Sequence, residues 1–305
     1  MSLSFHQVAA LWKESRRPYI KQSSYAIYVR LLNCYILPAF KERPQENQVQ
    51  AFAVAMLSHG YSTKTVKDTL MVLKMVLRHG TKLNAWPTID CSVRFPTQTK
   101  QQSTPATLTD DQQKRLLEHL RQNFSFKNLG ILICLYTGLR IGEICALQWQ
   151  DLDLKTGVLH VRKTVQRISL ADDGVRQNLL LIDSPKTPSS LRDIPLPAAL
   201  LRMLRPLGRL VNPAHFLVSN SPAPYEPRYY RAYYRKLLAR LGIPPLRFHA
   251  LRHSFATRCI QSRCDYKTVS ALLGHSSIAT TLDLYVHPGL EDKKKAIEKM
   301  AKGLG

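Results

Sequence analysis

Across residues 86–105 the chain carries three prolines, Pro87, Pro96 and Pro105, and from Thr97 to Thr104 not one hydrophobic residue. Proline removes a backbone donor and fixes φ, and an apolar-free run has nothing to bury, so no core element can run through this stretch. It predicts two folding bodies on either side of a linker: residues 1–88, a linker over 89–106, and residues 107–305. The length of 305 residues agrees, being roughly two domains' worth of chain.

The first body reads as a small helical domain. Residues 5–12, 24–36, 47–60 and 62–79 each space apolar side chains for one face of a helix. Gly60 and Gly80 are expected to stop the last two, and Ser62 or Thr63 to cap the fourth. There Lys64, Lys67 and Lys74 fall on one stripe, leaving Val66, Leu70, Leu73 and Leu77 for the core. The second body opens on Thr109 with Gln112 three residues later, a capping box, and Leu116, Leu117 and Leu120 follow at helical spacing. Residues 149–165 read as a β-hairpin turning at Lys155-Thr156-Gly157. Residues 179–182 and 192–196 read as a second hairpin, joined by residues 184–190. Helix returns over 229–241, 249–260, 267–273, 278–285 and 291–301. The expected fold class is mainly α, with a small antiparallel β-sheet in the second of two domains.

Charge narrows the partners. Against 21 Asp and Glu stand 44 Lys and Arg, a net charge of +23 before ten histidines are counted. Such an excess repels itself unless a polyanion neutralises it, which points to nucleic acid or an anionic membrane. A membrane-spanning reading fails, because the longest apolar run, residues 129–139, is interrupted by Tyr136, Thr137 and Gly138 and is too short. His6, Lys13, Glu14, Arg16 and Arg17 break up the opening segment, so no signal peptide is expected. Cys34, Cys91, Cys134, Cys145, Cys259 and Cys264 form no Cys-x-x-Cys pair. They read as small hydrophobes in a reducing cytoplasm rather than as a zinc site.

Three segments carry chemistry. Thr137-Gly138-Leu139-Arg140-Ile141-Gly142-Glu143 places a helix-stopping glycine before an arginine that opens the next helix, with Glu143 one turn on to hold it. His249-Ala250-Leu251-Arg252-His253 sets His249 and Arg252 three apart on one helical face, where both can meet one phosphate. In residues 272–288, Gly274 ends a helix and leaves His275 on the turn with its ring free, and Tyr285 follows on the next helix. Singly, each has an ordinary explanation: a capping arginine, a surface His-x-x-Arg, one packing tyrosine among thirteen. Together they answer what breaking a phosphodiester without a metal requires. Guanidiniums and imidazoles meet the charge on the non-bridging oxygens, an acid protonates the leaving oxygen, and a hydroxyl holds the strand end. No arrangement of three carboxylates suited to a metal-dependent reaction stands out.

In this order the segments resemble the tyrosine recombinase, or phage integrase, family, over nearly the whole chain. The family pattern Arg, Lys, His-x-x-Arg, Gly-His, Tyr falls on Arg140, Lys186, His249 with Arg252, Gly274-His275, and Tyr285. The resemblance implies a helical core-binding domain, a catalytic domain, and a 3′-phosphotyrosyl intermediate that leaves a free 5′ hydroxyl and needs neither cofactor nor metal. By it Arg140 and Arg252 clamp the non-bridging oxygens, with Glu143 in support. Lys186, in a turn between two strands, protonates the leaving 5′ oxygen, with Lys163 and Arg176 as rivals. His249 and His275 hydrogen-bond the phosphate, His249 takes the tyrosine proton, and the cationic neighbours activate Tyr285.

The same resemblance implies double-stranded DNA recombination sites as partner and a homotetramer assembled through C-terminal segments. Leu290, Ala296, Ile297 and Met300 offer an apolar side for that segment, in cis or in trans. An excisionase or an accessory DNA-bending protein is a further partner of this kind of enzyme. Lys21, Lys64, Lys67 and Arg231 are expected DNA contacts. Two branches compete. The short chain favours a Xer-type recombinase, whereas the ten-residue step from His275 to Tyr285 and the long stretch 162–181 favour the integrase of a phage or mobile element. The integrase is the reading taken. A type IB topoisomerase and a DNA-binding regulator without catalysis are the rivals from other classes. The separate helical domain argues against the first, and the intact set of six residues against the second.

Overall fold

The computed structural model describes residues 3–89, 91–96, 106–172, 175–185, 187–286 and 290–303. The described residues gather into two compact units, one from the first 101 residues together with residues 167–181, the other from residues 102–166 and 182–305.

Helices of the first unit start where local chemistry favours them. α1 (Phe5–Arg16) opens on a capping box made by Ser4 and Gln7. α2 (Gln22–Leu31) passes through a π-helical turn at Leu32–Ile36 into α3 (Leu37–Ala39). The wide turn falls where Pro38 has no N–H to give the carbonyl of Cys34, so the single helix expected over 24–36 is interrupted. α4 (Glu46–Ser58) and α5 (Thr63–Lys82) complete the set, Ser62 Oγ capping α5 by accepting from the Thr65 N–H at 3.1 Å. Phe5, Val8, Trp12, Leu32, Ile36, Val66, Leu73 and Val76 are buried in one core.

Gly80 does not stop α5, contrary to expectation. The helix runs over it to Lys82, and the Trp86 indole lies so close that a Cβ on Gly80 would overlap the ring. Trp86 Nε1 donates to the Leu77 carbonyl at 3.1 Å. The glycine serves close packing rather than termination. Part of the segment expected as linker is likewise packed: Cys91 is buried, and Ile89, Val93 and Phe95 border the same core. Residues 97–105 lie outside the described ones.

In the second unit α6 (Asp110–Gln122) opens on the expected Thr109–Gln112 capping box. α7 (Phe126–Thr137), apolar almost all round, is buried at the centre of the core and ends at Gly138. After α8 (Ile141–Ala146) come β1 (Leu152–Asp153), β2 (Val158–Val161), β3 (Thr164–Asp172), β4 (Val175–Asp183) and β5 (Arg192–Pro195), of which residues 167–181 of β3 and β4 belong to the first unit. β1, β2 and β5 form an antiparallel sheet in that order, and β3 and β4 a separate two-stranded sheet.

The second hairpin of the sequence reading is therefore re-paired. Residues 179–182 belong to β4, whose neighbour is β3, while β5 pairs with β2, Leu159 opposite Ile194. Alternation explains the outcome. Arg192 and Ile194 of β5 are buried between exposed Asp193 and Pro195, whereas Leu179, Leu180 and Ile182 of β4 are exposed. β5 thus has an inward face to add to the core sheet, and β4 does not.

The chain finishes with α9 (Ala198–Gly208), α10 (Pro227–Arg240), α11 (His249–Gln261), α12 (Tyr266–Leu273), α13 (Ile278–Tyr285) and α14 (Leu290–Ala301). α9 has no counterpart among the expected helices: Pro206 inside it hides the helical spacing of the buried Leu200 and Leu204. Among the described residues no helix is long and apolar enough to cross a membrane, and Cys134 and Cys145 are buried as free thiols.

Candidate active site

Helix ends of the second unit build the site. Gly138 adopts the left-handed conformation that closes α7, and a Cβ there would come within 2.6 Å of Phe255 Cδ1. The tight exit delivers Arg140 to the N-cap of α8. The Arg140 N–H donates to Glu143 Oε2 at 2.9 Å, Nη1 donates to Oε1 at 2.8 Å, and Nη2 donates to the Gly274 carbonyl at 3.1 Å. Glu143 holds the arginine in the way its spacing suggests.

Arg252 lies one turn into α11 and is 1% exposed. Its Nη1 donates to the Gly138 carbonyl at 2.9 Å and its Nη2 to that of Leu273 at 2.6 Å. A third arginine, not anticipated as a site residue, completes the set. Arg192 Nε donates to the Leu272 carbonyl at 2.6 Å, and its two terminal nitrogens reach Glu143 at 3.1 and 2.9 Å. Three successive carbonyls at the end of α12, those of Leu272, Leu273 and Gly274, therefore accept from Arg192, Arg252 and Arg140. A helix C-terminus leaves these oxygens unpaired and electronegative, which suits cations. The sequence held one signal for Arg192: a charged residue two and four places before Ile194 and Leu196, on the inward face of a strand.

Gly274 ends α12 with φ +65°, and a Cβ there would sit 2.9 Å from the Ser189 carbonyl and 3.1 Å from Arg192 Cδ. Gly274→Ala is expected to lower the unfolding free energy by about 1–3 kcal/mol, measured by urea denaturation. A variant as stable as the parent would show that the turn relaxes freely.

His275 follows on that turn, but its ring is not free as expected. Nδ1 shares a hydrogen bond of 2.8 Å with Oγ1 of Thr281, a buried residue of α13. His249, the first residue of α11, is exposed, with its ring perpendicular to that of His253 at 4.6 Å. Tyr285, the last residue of α13, is half-buried against Ala256, Val269 and Leu273. Its hydroxyl lies 2.7 Å from His253 Nδ1. The structure thus puts His253, not the expected His249, against the tyrosine, because residues four apart on α11 share a face and α13 packs beside the later one.

Electrostatics follow from burial among cations. Loss of hydration and then the charges of Arg252 and Arg140 bring His275 down to about 4. His249 falls to about 4, first because its ring loses part of its hydration although the residue as a whole stays exposed, and then through the neighbouring His253, Arg252 and Arg140. His253 is lowered by burial and by Arg252. Arg252 drops to about 9, through burial first and Arg140 second, and stays cationic at neutral pH. Burial pushes the Glu143 carboxyl up, but hydrogen bonds and charge from Arg192 and Arg140 outweigh it and hold the group below its ordinary value. Tyr285 departs from expectation: burial raises its phenol, and Arg252 and Arg140 offset only part of the rise. At neutral pH the site offers cationic guanidiniums, neutral imidazoles and a protonated phenol.

A cleft of about 430 Å³ opens beside this cluster, lined by Arg140, Thr187, Gly274, His275 and Thr280. Pro185 also lines it, while Lys186 lies outside the described residues. Of its rivals, Lys163 donates to Gln148 Oε1 at 2.7 Å, and the side chain of Arg176 is outside the described ones. Arg231 lines a hollow of about 770 Å³ with Arg228, Arg235, Arg247 and His249. Lys21, Lys64 and Lys67 belong to the first unit. Lys21 precedes α2, and Lys64 and Lys67 stand exposed on α5, Lys67 Nζ 5.0 Å above the Phe95 ring. Leu290, Ile297 and Met300 of α14 are exposed, and the side chain of Ala296 is outside the described ones. Among the described residues no three His, Cys, Asp or Glu converge as a metal site.

Residues 106–291 match the phage integrase family. The XerC-like tyrosine recombinase of Caldanaerobacter subterraneus subsp. tengcongensis is 28% identical over 274 residues, 83% of this chain and 70% of that protein. The ICEBs1 integrase of Bacillus subtilis is 23% identical over 317 residues, 98% of this chain and 83% of its own. Among solved structures, the Tn1549 transposon integrase in complex with transposon right end DNA superposes with a TM-score of 0.74 at 23% identity, covering 98% of this chain and 100% of that one.

Proposed function

This chain belongs to the phage integrase family, the tyrosine recombinases, and from that premise we propose that it is the integrase of a phage or other mobile element. Its substrate is a pair of double-stranded DNA sites, which it cuts and rejoins through a 3′-phosphotyrosyl link on Tyr285. The observation that carries the chemistry is the bracing of Arg140 and Arg252 on the adjacent carbonyls of Gly274 and Leu273, with His275 and Tyr285 on the following turn and helix. Guanidiniums fixed in this way stabilise charge growing on the non-bridging oxygens without reorganising during the reaction. His249 and His275, neutral at the working pH, hydrogen-bond the same phosphate, and Lys186 donates the proton that the 5′ oxygen takes as it leaves. No cofactor is required, since the phosphoester bond energy is retained in the covalent link.

The element-integrase branch is supported by the two nine-residue strands β3 and β4, which form a sheet of their own besides the three-stranded one. The exposed apolar residues of α14 suit exchange between protomers in a tetramer, and the high positive charge suits DNA in the cytoplasm. A nicked suicide substrate carrying the recombination site tests the reading. Wild-type protein is expected to become covalently attached to the 3′ end, Tyr285→Phe is not, and a two-site plasmid is expected to recombine. Binding without attachment by either protein would instead make the chain a regulator, and relaxation without recombination a topoisomerase.

A further inference from the structure

The geometry points to His253, rather than His249, as the group that takes the proton of Tyr285 when the tyrosine attacks. The inference rests on the recombinase reading and assigns a part of that reaction to a residue the motif leaves without a task. His253 Nδ1 lies 2.7 Å from the Tyr285 hydroxyl. A neutral imidazole with its proton on Nε2 presents Nδ1 as an acceptor, and the phenol O–H donates to it. The ring is half-buried and follows Arg252 directly on α11, so the acceptor is fixed beside the arginine that meets the phosphate. His249 is exposed and stands edge-on to His253 at 4.6 Å, which leaves it free for the phosphate itself.

The step balances without an added reagent. The Tyr285 oxygen forms its bond to phosphorus while its proton passes to His253 Nδ1, giving an imidazolium. The P–O5′ bond breaks, and the 5′ oxygen takes a proton from Lys186. Rejoining reverses both transfers, the imidazolium returning its proton to the departing phenol. An acceptor is needed because burial holds the phenol in its protonated form.

His253→Asn tests this, since Asn can still accept a hydrogen bond near the Nδ1 position but cannot hold the proton. It is expected to slow covalent attachment to the suicide substrate by about 100-fold or more, with DNA affinity and circular dichroism unchanged. His253→Gln serves as a second variant should the first fold poorly. The deciding measurement puts a trifluorotyrosine, whose phenol is more acidic, at position 285. In the His253→Asn background it is expected to recover most of the lost rate, and in a His249→Asn background to recover little. Rates within twofold of wild type, faster attachment, or a loss that the acidic phenol does not repair would each overturn the assignment. If wild-type protein forms no adduct at all, while the fluorine resonance of residue 285 still responds to His253→Asn, the recombinase reading itself fails and the inference falls with it.

Discussion

Arg252→Ala is expected to lower the rate of covalent attachment by about 10³-fold or more, while affinity for the DNA site changes little. Binding draws on many lysines and arginines spread along the duplex, each meeting one phosphate among many. The transition state concentrates new charge on a single phosphate, so a guanidinium already fixed there contributes far more to rate than to affinity. Arg252 is suited to that part: it is 1% exposed and held by the carbonyls of Gly138 and Leu273. Arg252→Lys is expected to recover only a fraction, because a single ammonium cannot span both carbonyls and still face the phosphate. Single-turnover attachment and gel-shift affinity, taken at the same salt concentration, give the two numbers. A rate within tenfold of wild type would remove Arg252 from the clamp.

Glu143→Ala is expected to cost about 3–5 kcal/mol of folding stability, the usual loss when one member of a buried ion pair is removed. The carboxylate, 3% exposed, stands between Arg140 and Arg192, and without it the buried Arg192 keeps a charge with no counter-ion. Replacing Arg192 as well, in Glu143→Leu with Arg192→Met, is expected to recover part of the loss. The pH dependence has a definite sign. Because the folded carboxyl lies below its ordinary value of 4.5, its contribution is whole above that value and is lost as pH falls through the folded value. Urea denaturation from pH 7 downward should show wild-type stability converging on that of Glu143→Ala in the acid range. Parallel curves would mean that Glu143 is not the anion that holds this site together.

How far the sequence could be read varies with the range of the interaction. Capping of α5 by Ser62 and of α6 by Thr109 is decided within one turn, and both were legible. So was the exit from α7 through Gly138 into Arg140. Strand partners were not, since β2 chooses β5 over a nearer strand for the sake of a core built by distant helices. The histidine beside Tyr285 shows the same limit. Both His249 and His253 lie on the right face of α11, and only the packing of α13 decides between them. Gly80 misled for a related reason: a glycine near a helix end reads as a stop, but here a tryptophan six residues later needs its surface.

Three guanidiniums from a strand and two helices share consecutive peptide oxygens of a single turn, residues 272–274. Their mutual spacing is therefore set by the repeat of one helix, not negotiated among three separate elements. A slip of that turn by one residue, a rise of about 1.5 Å, would displace every one of them in concert. Such a site has two settings rather than a graded scale: assembled, with all its charges in register, or dispersed, with none.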